Sequence, residues 1–205
     1  MNETVKPLIE VLAEVPDFRR AAGKRHSLPA ILALVCAATL CGYRSYGAMA
    51  EWGQHYEADF VEALGFKKGK TPCVGTLHAV LTGLDHQALE AILGQWAQEV
   101  LAAHDATKNS AQNTAKNTAK VVAIDGKTLR ASARQGAPGT HLLAALSPAL
   151  GLTLHQQAVD DKSNEITAVQ EVLKSLVLEG RVVTVDALLT QREVAQTIID
   201  KKGTI

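Results

Sequence analysis

The sequence predicts an α+β protein in two parts, an all-helical first half followed by an α/β second half. Three observations predict it. Through the first hundred residues the apolar positions recur at helical spacing. A polar run, "DATKNSAQNTAKNTAK", then breaks the pattern from Asp105 to Lys120 and carries a tandem NTAK. Beyond it, short β-branched runs alternate with helical stretches, the grammar of a layered sheet with some parallel pairing. The expected divisions are a helical domain over 1–104, a polar linker over 105–120 and an α/β domain over 121–205.

In chain order, "VKPLIEVLAEV" places Leu8, Val11, Leu12 and Val15 in helical phase. "PDFRRAAGKRHS" is a basic connector. Ser27 can cap the next helix, with Pro29 in its first turn, where a missing N–H costs little. That helix, within "PAILALVCAATLCG", is apolar on every side but spans 14 residues. A membrane span needs about 20, so it reads as buried, and no membrane association is expected. Trp52 and Phe60 are packing residues of a further helix or two. "TPCVGTLHAVLTGLD" reads as a turn and a short helix. "HQALEAILGQWAQEVLAAH" is amphipathic through Leu89, Ile92, Leu93, Trp96 and Val100. After the linker, "VVAI", "HLLAALSP" and "LTLHQQAVD" are strands. "NEITAVQEVLKSLVL" is a helix with Ile166, Val169, Val172, Leu173 and Leu176 in phase. "GRVVTVDALLT" is a strand, and "TQREVAQTIIDKKG" a helix opened by a Thr190–Glu193 capping box. The order is β-β-β-α-β-α. A further strand is expected after Gly203, so the α/β part reads as incomplete.

Composition narrows the function classes. Lys plus Arg and Asp plus Glu number 21 each, so the chain is formally neutral, and each half is close to neutral too. Proteins that depend on phosphate contacts usually show a basic excess, which weighs against strong nucleic-acid binding by this chain alone. Cys36, Cys41 and Cys73 have no C-x-x-C spacing, which gives neither a zinc site nor a dithiol motif. Their odd number fits a reducing cytoplasm. The N-terminus lacks the basic, apolar pattern of a signal peptide. Aromatic residues make up 4% of the chain, so the cores are aliphatic.

Two strand-like runs end on aspartates, "VVAIDGK" at Asp125 and "VVTVDAL" at Asp186. Asp125 has two readings. Asp-Gly between apolar runs is a hairpin signal, because both central residues of such a turn need φ > 0. Alternatively, Asp125 is a carboxylate held at a strand end, where parallel sheets gather functional groups. If the two strands are neighbours, the carboxylates converge as oxygen ligands for Mg²⁺. Asp186 has its own plain reading, a polar residue leaving a strand before a helix.

The motifs "VVAIDGKTLRAS", "DDKSNEITAVQEVL" and "VVTVDALLTQREVAQTII", in this order, resemble the insertion-sequence DDE transposases of the H-repeat-associated (Rhs-element) type. "VPDFRRAAGKRHSLPAILALVCAATLCGYRSYGAMAEWG" resembles the helical domain that precedes catalysis in that family. The resemblance covers about residues 8–205. It implies a ribonuclease-H-like catalytic domain with the first acid on strand one and the second on strand four. Asp125 and Asp186 match these as catalytic, metal-binding residues. The family's third acid is a glutamate further downstream, for which this sequence has no matching segment. Glu165 of "KSNE" is not that residue; Ser163 or Asn164 capping a helix, with Glu165 favouring its dipole, is the reading preferred here.

Other implications follow from the resemblance. The cofactor is Mg²⁺ or Mn²⁺, bound weakly or not at all by these residues alone. The partner is DNA, at transposon ends and targets, with a homo-oligomer or an intact transposase as a protein partner. Lys127 and Arg130 are candidate phosphate contacts beside Asp125. Arg19, Arg20, Lys24 and Arg25 form the main basic cluster, extended by Lys67, Lys68 and Lys70. The expected activity is metal-dependent phosphodiester hydrolysis and strand transfer, in a chain that lacks part of its catalytic set. The rival readings are a DNA-end-binding or interfering fragment without catalysis, and a decayed gene product. Where the family shows glycine after the arginine of "GKTLR", Ala131 stands here. Cys73 and His78 replace a serine and an arginine, which weakens DNA contact by that helix.

Overall fold

The computed structural model describes residues 5–22, 24–110, 120–133, 139–159 and 165–205. It divides into two compact units, Lys6–Ile92 and a second holding Leu93–Ile205.

The first unit is helical. Its elements are α1 (Leu8–Leu12), α2 (Leu28–Leu40), α3 (Tyr46–Gln54), α4 (Ala58–Ala63), α5 (Val74–Gly83) and the start of α6 (His86–Ser110). Ser27 holds the N-cap position of α2 but its side chain makes no capping bond. Gly42 ends that helix with φ 90°, a left-handed conformation that a Cβ would oppose. The most deeply buried side chains include Leu12, Leu28, Ile31, Leu34, Leu77, Val61 and Phe66. Trp52 is buried as expected, whereas Phe60 is exposed and rests edge-on against the Trp52 ring. Cys73 occupies the N-cap of α5 and is exposed. A hydrogen bond with the Thr76 hydroxyl lowers its thiol pKa, while burial raises that of Cys36. Thiolate is the nucleophile, so iodoacetamide at pH 7.5 is expected to label Cys73 before Cys36. Equal labelling rates by peptide mass spectrometry would contradict that assignment.

The second unit is a sheet covered on one face. Its strands are β1 (Val121–Thr128), β2 (His141–Ser147), β3 (Leu152–Val159) and β4 (Val182–Val185), with helices α7 (Glu165–Ser175) and α8 (Arg192–Asp200). The sheet order is β3-β2-β1-β4. The first three strands form an antiparallel meander and β4 joins β1 in parallel. This is the α+β arrangement the sequence predicts, with strands one and four adjacent. Val122, Ile124, Leu143, Ala145 and Val183 face a core completed by Val169, Val172, Leu173, Val194 and Ile198 of the two helices, with Ala97 and Leu101 of α6. No aromatic residue follows Trp96, so this core is wholly aliphatic. Beyond α8, Thr204 bridges in parallel to Val182, and Val183 N–H donates to Thr204 O at 2.7 Å. The outer edge of β4 is therefore paired at that residue.

Two expectations are corrected here. Residues 105–110 of the expected linker continue α6 as helix, because Asp105 is held by Arg181 at 3.0 Å and Lys120 at 3.8 Å. Residues 111–119 lie outside the described residues. Secondly, α8 begins at Arg192 with Gln191 as N-cap, so Thr190 and Glu193 form no capping box. The Thr190 hydroxyl instead donates to Asp186 O at 3.0 Å. Among the described residues no helix is long and apolar enough to cross a membrane.

The C-terminus of α7 has a long-range cap. Lys201 Nζ donates to Leu173 O, Lys174 O and Leu176 O at 2.7, 2.6 and 2.8 Å. Burial lowers the pKa of this ammonium from the ordinary lysine value. Lys201→Met keeps the stem and removes three charge-assisted bonds, so a loss of about 2 kcal/mol is expected by urea denaturation. An unchanged midpoint would show that water satisfies these carbonyls equally well.

Candidate active site

Asp125 lies within β1, not in a hairpin corner. The β1–β2 ladder runs through it without a break, pairing Asp125 with Ala144, Gly126 with Leu143 and Thr128 with His141. Gly126 has no positive φ, so the Asp-Gly pair makes no tight turn. Lys127 and Thr128 continue the same strand. The strand-end expectation is corrected as well, because Asp125 is a mid-strand residue with respect to β2. With respect to β4 it stands where pairing stops, since that ladder ends at Ile124 opposite Val185. Val122 and Ile124 are buried on the core face, so alternation places Asp125 on the opposite, exposed face.

Asp186 is the first residue past β4. Its carbonyl accepts from Leu189 N–H at 3.0 Å, Thr190 N–H at 3.1 Å and the Thr190 hydroxyl. Buried Leu189 anchors the turn, while Leu188 is 78% exposed. Val183 is buried and Val185 packs against the core, which gives Asp186 the parity of exposed Thr184. Asp125 and Asp186 thus follow the last paired residues of two parallel neighbours, on one face. Neighbouring strands lie about 4.8 Å apart. Both aspartates are exposed, and among the described residues neither carboxylate has an ion pair. Two unpaired carboxylates at facing positions are a hard-oxygen donor set that fits a divalent cation such as Mg²⁺ or Mn²⁺.

The other candidates fall in different places. Among the described residues no three His, Cys, Asp or Glu side chains gather as a metal cluster. Glu165 opens α7 and its Oε1 lies 2.7 Å from His141 Nε2. Ser163 and Asn164 lie outside the described residues. Lys127 is exposed and shares its strand face with Asp125. Arg130 is exposed on the 3₁₀ turn Arg130–Ser132. In the helical unit, Arg19 grips Asp17 through Nε and Nη2 at 2.9 and 3.0 Å, and Lys24 reaches the same carboxylate at 3.0 Å. These bonds hold the Asp17 carboxyl well below its usual range. Arg20 and Arg25 are exposed and make no ion pair among the described residues. His141 opens the strand-like run HLLAALSP, and no local pattern in the sequence pairs it with Glu165.

Residues 116–205 match the model described as "Transposase DDE domain", and residues 9–97 match the one described as "DDE_Tnp_1-associated". YncI of Escherichia coli (strain K12), named by assignment as a transposase, is 31% identical over 98% of this chain and 76% of its own length. The chain belongs to the DDE transposase family. YhhI and YbfD of the same strain, named as H repeat-associated transposases, are 29% and 28% identical over 97% of the chain. The chain spans 50% and 74% of those two relatives. A piggyBac transposase in a synaptic complex with hairpin DNA aligns over 96% of this chain and 45% of its own, at 12% identity and a TM-score of 0.39. A likeness that low adds nothing to the assignment of this DDE transposase chain.

Proposed function

We propose that this chain carries the first two metal-binding acids, Asp125 and Asp186, of an insertion-sequence transposase acting on DNA ends. The observation that supports this most is the register of β1 against β4, whose last pair, Ile124 with Val185, stands immediately before the two aspartates. Asp125 and Asp186 would hold divalent cations there, which would supply activation of water for attack on phosphorus and neutralisation of charge on the leaving oxygen. The chain's basic residues would orient the DNA. Lys127 and Arg130, both exposed near Asp125 in sequence, are proposed as phosphate contacts. Arg20 and Arg25 of the helical unit are proposed as backbone contacts, extended by Lys67 and Lys70 through the His26–Phe66 ring contact at 5.5 Å. Arg19 and Lys24 are poorer candidates, since Asp17 already holds them.

With two carboxylates in place of the three that a DDE site uses, these 205 residues alone are proposed to bind DNA without completing strand transfer. The test is Fe²⁺ in place of Mg²⁺, with ascorbate and peroxide. Local radicals are expected to cut the backbone beside residues 125 and 186, and excess Mg²⁺ is expected to suppress both cuts. Cleavage elsewhere, or none, would remove the two-acid reading. The rival role, end binding or interference without chemistry, is supported by Arg20 and Arg25, exposed and without an ion pair among the described residues. In a salt-titrated gel shift, Arg20→Gln with Arg25→Gln is expected to reduce the log–log salt slope by about 2. Detectable strand transfer by the isolated chain would overturn the catalytic incompleteness.

A further inference from the structure

Gly126 follows Asp125, yet it has no positive φ and so no conformational need for glycine. Its need is space. A Cβ built there would lie 2.9 Å from His141 Nε2 and 3.3 Å from its Cε1. Glycine in a strand marks a close approach by another group, and here the group is an imidazole.

That imidazole is held on both sides. Its Nδ1 is 2.9 Å from the Thr128 hydroxyl, across the last rung of the β1–β2 ladder. Its Nε2 is 2.7 Å from Glu165 Oε1 at the start of α7. The ring N–H does not aim along that line, so the pair is a close polar contact and not an aligned hydrogen bond. His141 is 9% exposed. One ring thus joins β1, β2 and α7 on the core face, directly behind the strand segment that shows Asp125 to the exposed face.

The position matters because of what β1 lacks there. Its pairing with β4 stops at Ile124, so among the described residues the strand from Asp125 onward is paired with β2 on one edge alone. The groups that meet its core face at Gly126 add to that restraint. We infer that His141 and Glu165 form a clasp, seated in the slot left by Gly126, that positions Asp125 for cation binding. The inference rests on the two-acid reading. His141 and Glu165 touch no reacting atom; they act through the backbone of β1, as supporting groups behind metal ligands do.

The test is Mn²⁺ affinity of the 205-residue chain, read from the free-ion signal by electron paramagnetic resonance. Each variant is checked for native circular dichroism at the same temperature. Asp125→Asn comes first. If it binds Mn²⁺ as wild type does, or neither binds, the two-acid site fails and the clasp falls with it. If wild type binds and Asp125→Asn does not, the clasp is read separately. His141→Ala and Gly126→Ala are then expected to weaken binding about tenfold or more, the usual cost of losing a supporting group. Glu165→Gln is expected to weaken it by a smaller factor, and His141→Gln, which can still bond Thr128, to recover most of the loss. The double variant Gly126→Ala with His141→Ala is expected to be no worse than His141→Ala alone, because the added methyl then enters the vacated slot. Folded variants that bind within twofold of wild type would reduce the cluster to a structural contact and overturn the inference. Should His141→Ala fail to fold, Gly126→Ala and His141→Gln give the same reading.

Discussion

Asp125→Asn and Asp186→Asn are each expected to leave the metal-free chain as stable as wild type or slightly more so, and to abolish its stabilisation by divalent cations. Two like charges about 5 Å apart in water repel by about 0.8 kcal/mol. Both carboxylates are exposed, follow facing residues of parallel strands and have no ion-pair partner among the described residues. Removing one charge relieves that repulsion and breaks no contact. A bound cation reverses the balance in wild type only. Ligand at 100 times its Kd stabilises the folded state by about 2.7 kcal/mol. For a unit of this size that is roughly 10 °C or more in melting temperature. Mn²⁺ titrated into wild type should therefore raise Tm, and into either Asn variant should not. Glu171→Gln, which removes an exposed acid paired with Lys174 on α7, serves as the control and should keep the shift. An Asn variant that retains the shift would place the cation elsewhere.

The strands that lead to the two aspartates were clearer in the sequence than the setting of the aspartates themselves. Val121 to Ile124 and Val182 to Val185 are β-branched runs, so both strands were legible, and the parallel pairing followed from the helix between them. The choice between hairpin and strand at Asp125 was not legible locally. Asp-Gly permits either, and the decision came from two ladders, one with β2 and one with β4, whose partners are distant in sequence. The extent of α6 was hidden for the same reason. "DATKNS" is polar and has no large apolar residue, yet its first residue is held by Arg181, 76 positions away. The false capping box at Thr190 shows a different failure. Its spacing was right, but the Asp186 carbonyl competes for the hydroxyl and sets the turn first.

The basic cluster also contains an acidic neighbour that a count of cations does not weigh. "PDFRR" sets Asp17 two residues before Arg19, close enough for the bidentate pair that forms. Counting cations over residues 19–25 gave four DNA candidates, and geometry leaves Arg20 and Arg25 free of ion pairs among the described residues. Glu165 was read as a helix-dipole residue. It does open α7, but the same carboxylate also meets His141, and only the three-dimensional register of Thr128 with His141 brings that imidazole within reach.

Asp105→Ala is expected to destabilise the sheet unit by about 3 kcal/mol, more than any other single change proposed for it. Arg181 is 8% exposed, and its Nη2 donates to Asp105 Oδ2 at 3.0 Å while Nε donates to Val177 O at 3.1 Å. Removing the carboxylate leaves a guanidinium buried without its counter-charge, which costs about 3–5 kcal/mol when burial is complete. The remaining exposure of Asp105 and the nearby Lys120 place the estimate at the lower end. The effect should reach beyond α6. Lys120 and Arg181 immediately precede β1 and β4, and Val182 N–H donates to Lys120 O at 3.0 Å where the two strands begin to pair. Asp105 therefore fastens the entry of the two strands that lead to Asp125 and Asp186. A double variant, Asp105→Ala with Arg181→Met, removes the orphaned charge and should recover a large part of the loss by urea denaturation, because an apolar replacement of a buried pair is often neutral. If Asp105→Ala costs under about 1 kcal/mol, or the second substitution adds to the loss, then hydration of Arg181 supports the strand entries and the ion pair does not.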